Sequence, residues 1–425
     1  MQTQMFTDIV PKNKLPTNLT TEYHPIHRWF NFIAGFSPEF VKFCIQDADL
    51  TRSHFLIDPF AGLSTSLVQA SLEGIESIGF EPHPFFHDIS RAKIDLNLTP
   101  LVINQIKSYL LQLQPFSGEF SDIWSESACR FLTKLIPLKE LRILAEALLL
   151  EQKLDEKLRP IYRLIVSRIL ELASTSQTDG IYKAPTTLKK SIDFYFAVDS
   201  VCTNIIEDIY NTSLISRGKS ELYLASSENM SQVESESCSI CVTSPPYLNN
   251  FDFAEMTRME FYYWIYATSW RDITESVRRK LVVNTTTVPN DIKKSQTKFR
   301  STLPSSLLKS LEPLVSSLPE MRQIHAGKKE YDLLVFPYFS QMHTIFQELR
   351  RVLKYNSPFH LVVADSALYG IHIETQQLLA SLMKETGFRV IQIESLRKRG
   401  DRWILEKRKG SKKGLGEYHI VSRRL

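Results

Sequence analysis

The chain has 425 residues, 43% hydrophobic and 23% charged, with Lys+Arg 51 against Asp+Glu 47 for a formal net charge of +4. That balance excludes a disordered, collagen-like or disulfide-scaffold chain, and the length predicts two to three domains, or one with large insertions. No apolar run reaches the roughly 18 residues of a membrane span. The start MQTQMFTDIVPKNK has no apolar core or cleavage signal, so a cytoplasmic protein with no membrane partner is expected.

Residues up to about 23 are polar and predict a flexible start, followed by an ordered aromatic stretch, HPIHRWFNFIAGFSPEFVKFCIQ. Phe55-Leu56-Ile57 reads as a buried strand, the small residues after it as a tight turn, and Ser64 to Leu72 as a helix. ESIGFEPHP is a second strand ending at Glu81, which completes one βαβ unit of a parallel sheet. Residues 100–172 are Leu-rich and amphipathic and predict several helices, and 174–192 a loop. Glu221–Ala225 is a short strand, and SCSICVTSPPY a strand running into a Pro-Pro stop. Residues 285–325, rich in Ser, Thr, Pro and Lys, read as a mobile loop. YFSQMHTIFQELRRVLK is a helix, PFHLVVADS a buried strand, 371–386 a helix, and GFRVIQIES and EYHIVSRR two strands joined by a basic linker.

The five cysteines, at 44, 129, 202, 238 and 241, are read as reduced intracellular thiols. Cys238 and Cys241 form one CxxC, but no further ligand pair stands nearby, so strand packing is expected and no metal. Charge is unevenly spread. Residues 389–425 carry twelve Lys/Arg and four acids, and 271–300 carry eight against three. Two basic blocks on an acidic background suit a polyanionic partner.

Two constellations carry chemistry. In Asp58-Pro59-Phe60-Ala61-Gly62-Leu63-Ser64, a small-residue turn between strand and helix lets a ligand approach the backbone and the helix N-terminus. Glu81, 23 positions after Asp58, suits two ribose hydroxyls. In Thr243-Ser244-Pro245-Pro246-Tyr247, the proline carbonyls can only accept hydrogen bonds, Ser244 adds an acceptor, and Tyr247 offers a flat face. Such a pocket suits the amino group of a base taken out of its stack.

DPFAG followed by TSPPY resembles the amino-methylating, S-adenosylmethionine-dependent DNA methyltransferases, in the Ser-Pro-Pro-Tyr form of the cytosine-N4 branch. The resemblance covers about 24–95, 220–265 and 335–425. It implies an α/β fold, a Rossmann-like seven-stranded methyltransferase sheet with a large helical insertion and a second basic insertion. The implied division is a flexible 1–23, a cofactor-binding half at 24–99, a helical insertion at 100–219 and the catalytic part at 220–265. A basic insertion at 266–334, the favoured place for target recognition, and the C-terminal part of the core at 335–425 complete it. The helical insertion is read as a clamp or a dimer surface.

By resemblance, Asp58, Pro59, Phe60, Ala61, Gly62, Ser64, Glu81 and Ser226 hold S-adenosyl-L-methionine, and Ser244, Pro245, Pro246 and Tyr247 hold the target base. Two positions depart from the family pattern. Gly62-Leu63-Ser64 stands where Gly-x-Gly is usual, and Ser226 stands where an acid is frequent. The implied partner is double-stranded DNA, with a restriction endonuclease acting independently. Asn249, Asn250 and Arg258 are candidate contacts to the target strand, or else cap and surface residues; His83 and His87 are read as packing. The competing readings are adenine-N6 methylation of DNA, methylation of RNA, and an inactive nucleic-acid-binding protein on the same fold.

Overall fold

The structure is a computed structural model that describes residues 18–30, 36–178, 183–248, 252–283, 288–325, 330–399 and 415–425. Seven strands form the main sheet: β1 (Phe55–Asp58), β2 (Glu76–Phe80), β3 (Ser220–Tyr223), β4 (Ile240–Thr243), β5 (Pro358–Ala364), β6 (Phe388–Arg399) and β7 (Leu415–Arg424). Their spatial order is β3-β2-β1-β4-β5-β7-β6. All neighbours are parallel except β7, which runs antiparallel to both β5 and β6. β4 is buried at every position and β5 at all but its first. That is the pattern of parallel strands covered by helices on both faces.

The order matters for function. From β1 the chain steps outward to β2 and β3, then returns to place β4 on the other side of β1. The connections diverge between β1 and β4, which opens a crevice at the carboxyl ends of these two strands.

Helix α1 (Pro38–Asp47) begins at Ser37, whose hydroxyl accepts the Phe40 amide, and it buries Phe40, Val41, Cys44 and Ile45. These side chains share one core with Leu56, Ile240, Val242 and Val362 of the sheet. Helix α2 (Thr65–Leu72) links β1 to β2, and α3 (Pro84–Ile94) follows β2. The Leu-rich stretch then folds as α4 (Pro100–Leu111), α5 (Glu126–Leu135), α6 (Leu138–Glu151) and α7 (Arg159–Ala173). Where a loop was expected, the strands Ser176–Thr178 and Lys183–Leu188 pair antiparallel. Helix α8 (Phe194–Thr212) closes the helical unit.

The core of that unit also takes in Met259, Phe261, Tyr262, Tyr263, Trp264 and Ile273, which follow the second motif. The polypeptide leaving β4 therefore packs on these earlier helices, with the Tyr263 hydroxyl donating to the Leu144 carbonyl 119 positions back and Trp264 Nε1 to the Ser167 hydroxyl 97 back. The N-terminal segment is tied to the same unit. Buried Asp208 of α8 accepts from the Ile26 amide at 2.9 Å, Trp29 Nε1 at 2.9 Å and Arg28 Nη2 at 2.7 Å.

The other face of the sheet is covered by α9 (Ser305–His325), α10 (Val335–Val352) and α11 (Thr375–Glu385). Helix α9 corrects the mobile-loop expectation for 285–325. It spans 21 residues and contains Pro313 and Pro319. A proline inside a helix costs about 3 kcal/mol. The burial of Leu307, Leu311 and Leu318 on one stripe offsets that cost. The basic linker between β6 and β7, residues 400–414, lies outside the described residues.

Candidate active site

The turn after β1 is built from backbone bonds and two buried acids. Asp58 Oδ1 accepts the Phe60 amide at 3.0 Å, the Ala61 amide donates to the Phe80 carbonyl at 3.0 Å, and the Ser64 amide donates to the Ala61 carbonyl at 2.6 Å. Glu81 spans the base of the turn. Its Oε2 accepts the Gly62 amide and its Oε1 the His83 amide, each at 2.8 Å. Gly79, on β2, lets the turn come this close; a Cβ there would lie 2.9 Å from Leu67 Cδ2 and 3.0 Å from Ala61 Cβ.

Burial raises both acids. Asp58 rises from 3.8 to about 6, countered by hydrogen bonds from Ser66, Thr243 and Phe60. Glu81 rises from 4.5 to about 8, chiefly by burial, with the nearby Asp58 charge adding to the shift. The two carboxyls make the turn a place where hydroxyl donors or positive charge are welcome.

Gly62 and Ser64 both adopt left-handed backbone, with φ of 52° and 61°. For serine this conformation costs about 1–2 kcal/mol. The Ser64 hydroxyl is buried, with no hydrogen-bond partner among the described residues. Above Gly62 the space is open, since a Cβ there would find nothing nearer than the Phe60 carbonyl at 4.0 Å. An open backbone cradle beside an orphaned hydroxyl and a two-oxygen acid fits the ribose end of a nucleoside cofactor. Pro59 and Ala61 are buried in the turn, and Phe60 is half-buried against the second core.

The second motif lies beside the first. β1 and β4 pair in register through Leu56↔Ile240 and Ile57↔Cys241. The Thr243 hydroxyl donates to Asp58 Oδ1 at 2.5 Å, and the Ser66 hydroxyl donates to the Val242 carbonyl at 3.2 Å. Ser244 follows Thr243 directly, so the acid of the first motif touches the residue that opens the second. Ser244 and Pro246 are half-buried, and Pro245 and Tyr247 buried. The Tyr247 ring joins the second core, and its hydroxyl donates to Glu417 Oε1 at 2.8 Å. Glu417 in turn pairs with Arg397 Nε at 2.6 Å.

Ser226 sits just past β3, at the same sheet edge as Glu81, whose amide bonds to the Tyr223 carbonyl. The Ser226 hydroxyl accepts the Glu228 amide at 3.3 Å. An acid is therefore present two positions from the expected one. Burial raises the Glu228 carboxyl, and Gln341 Nε2 donates to it at 3.2 Å.

Beyond Tyr247, residues 249–251, including candidates Asn249 and Asn250, lie outside the described residues. Arg258 is half-buried. Its guanidinium lies 4.2 Å from the Phe131 ring centre and 4.8 Å from that of Trp270. Asp252 caps the helix Phe253–Met256 and is held by Arg278 Nε and Nη2 at 3.0 and 2.8 Å, both side chains being buried. His83 is a packing residue, stacked on Phe86 at 4.2 Å, with its Nε2 3.0 Å from the Thr257 hydroxyl.

Sequence reasoning did not single out Thr243, Glu228, Asp252, Arg278 or Glu417. Thr243 lay within the quoted motif. Glu228 was within reach as the acid nearest Ser226. The other three carry no local signal, because their partners are 26 and 170 positions away.

The chain is similar to type II methyltransferases. It aligns with M.BsoBI of Geobacillus stearothermophilus at 24% identity, over 97% of this chain and 86% of the relative. It aligns with M.AvaI of Nostoc sp. strain PCC 7120 and of Anabaena variabilis at 25% identity, over 87% of this chain and 80% of each relative. Among solved structures, a SAM-dependent methyltransferase from Methanosarcina mazei matches at 10% identity with a TM-score of 0.29, over 90% of this chain and 97% of that one. No family model matches the chain. At 97% coverage the likeness to M.BsoBI includes the helical unit and the segment after β4 as well as the sheet.

Proposed function

We propose that this protein is an S-adenosyl-L-methionine-dependent DNA methyltransferase of a restriction-modification system, acting on the exocyclic N4 of a cytosine turned out of the double helix. The observation that carries the reading is the Thr243–Asp58 hydrogen bond, which joins the two motifs at the sheet's switch point. The likeness to type II methyltransferases along nearly the whole chain supports the reaction class. The Ser-Pro-Pro-Tyr form of the second motif supports cytosine-N4 over adenine-N6.

In this reading the turn from Asp58 to Ser64 approaches the cofactor through its backbone, and Glu81 accepts from the ribose hydroxyls. Ser226 and Glu228 border the adenine. When bound, the cofactor would supply a methyl group on a sulfonium whose sulfur can keep the bonding pair. The Ser244 hydroxyl and the Pro245 carbonyl accept the N–H bonds of the target amine. They draw its lone pair out of ring conjugation and towards the methyl carbon, and the surplus proton leaves to solvent after N–C bond formation. Pro246 stiffens the loop, and the Tyr247 ring borders the extruded base. Holding the amine in line can supply several kcal/mol, up to about 7–11 for ideal orientation.

The test is to incubate the full chain with labelled S-adenosylmethionine and mixed double-stranded DNA, then digest to nucleosides. Label in N4-methylcytosine is the expected result. Label in N6-methyladenine would move the assignment to the adenine enzyme, and DNA binding with no label in any nucleoside would leave only the inactive binding protein.

A further inference from the structure

A second cluster of chemistry-bearing side chains lies outside the crevice. Cys44 of α1, His360 of β5 and His419 of β7 each bring one donor atom to a common place, all within 4.8 Å of one another. It is the one such grouping among the described residues. All three are buried, at 0%, 1% and 3% exposure. Their surroundings are Phe36, Phe40, Val41, Leu56, Val242 and Val362.

Nothing in packing alone calls for three metal-ligating side chains in that core. Burying polar groups is unfavourable unless each finds a partner. Here His360 Nδ1 and His419 Nε2 are 3.0 Å apart. Two imidazoles can share only one hydrogen bond across that gap. Two nitrogens bound to one Zn2+ at about 2.0–2.1 Å each lie about 3–3.5 Å apart. The observed spacing therefore suits a shared cation as well as a shared proton.

The two imidazole rings lie 5.2 Å apart between centres at 26° to one another, and Phe40 holds His419 edge-on at 5.0 Å. We propose that Cys44, His360 and His419 bind a Zn2+ ion that fastens helix α1 to strands β5 and β7. On binding, the thiol gives up its proton to solvent and the sulfur donates a lone pair to the metal. The two neutral imidazoles donate one lone pair each, so no redox partner is needed. The three donors leave a fourth zinc position to water, and the site lies beneath α1 in the core shared with Leu56, Val242 and Val362.

The full chain, purified without chelators or metal-affinity resin, is analysed by mass spectrometry of its elements. About one zinc per chain is expected. The metal-free wild type is then titrated with Co2+, and a thiolate-to-cobalt charge-transfer band is expected in its near-ultraviolet spectrum. Cys44→Ser should abolish that band, and His419→Gln should weaken Zn2+ binding about 10-fold or more. A wild type that carries no zinc and gives no band with excess Co2+ overturns the proposal, and this arm needs no variant to fold. A band that persists in Cys44→Ser overturns it as well.

Discussion

The turn after β1 and the loop after β4 sit side by side on one sheet edge, yet different means hold them. The turn's own bonds close within 28 positions: Phe60 to Asp58, Ser64 to Ala61, Gly62 to Glu81 and Ser90 to Gly62. The loop is held from a distance. Tyr247 reaches Glu417 across 170 positions, Thr243 reaches Asp58 across 185, and Thr257 reaches His83 across 174. A cofactor cradle made of backbone can be local, because its geometry is set by turn conformation. A pocket for an extruded base needs walls from several elements, and these meet only once the sheet is assembled.

The comparison breaks most decisively at Arg278. Arg278→Ala leaves Asp252 buried without its charge partner, which should destabilise the chain by about 3–5 kcal/mol. Methylation should fall with it, while cofactor affinity per folded molecule stays unchanged. Denaturant titration and calorimetry check this, and a loss of cofactor affinity equal to the loss of activity would show that loop and turn are not separately held.

Tyr247→Ala comes next. Removing the ring should cost about 1–3 kcal/mol of base capture, or about 5- to 150-fold in turnover. Cofactor titration should not change. Equal methylation rates in variant and wild type would falsify the role of the ring. Glu417→Gln keeps the shape and weakens the tie to the Tyr247 hydroxyl. It should lower DNA affinity more modestly, by about 3- to 10-fold, and an effect as large as Tyr247→Ala would mean that Glu417 does more than position the ring.

On the turn side the readout is pH. Glu81 is raised on folding, from 4.5 to about 8. Its contribution to stability is whole below about 4.5 and is lost as pH climbs through about 8. The ligand-free chain should therefore lose stability over that window. Asp58, raised from 3.8 to about 6, adds to the lower part of it. Glu81→Gln should flatten the profile between about 6 and 8 and leave the Asp58 part below it. Cofactor affinity should run the other way in the wild type, rising with pH as the carboxylate forms to accept two hydroxyls. A variant whose stability profile overlays the wild type would remove Glu81 from this account. The smallest effect is Ser64→Gly, which relieves left-handed serine and deletes an unpartnered hydroxyl. It should raise stability by about 1 kcal/mol, and a loss would mean that the hydroxyl has a partner when the site is filled.

Much of the sheet was legible in advance. Phe55-Leu56-Ile57, ESIGF, ICVT and PFHLVVA announce buried strands by apolar content alone, and DPFAG and SPPY mark where two of them end. Helix α9 was not legible, because Pro313 and Pro319 hid a stripe of leucines at helical spacing. The partner of the segment after β4 was equally hidden. Its aromatics signal burial but not against what, and they lie on the helical unit.

Residue order, through short-range periodicity and turn chemistry, was enough to determine most of the strands, the two motifs and the acids Asp58 and Glu81 that stand at the ends of two of those strands. Those features depend on neighbours within one or two turns of chain. Only the folded molecule decided that β4 lies against β1, that Glu417 meets the Tyr247 hydroxyl, and that Cys44, His360 and His419 converge beneath α1. Such encounters depend on which apolar faces pack best across the whole chain, and no local spacing encodes that choice.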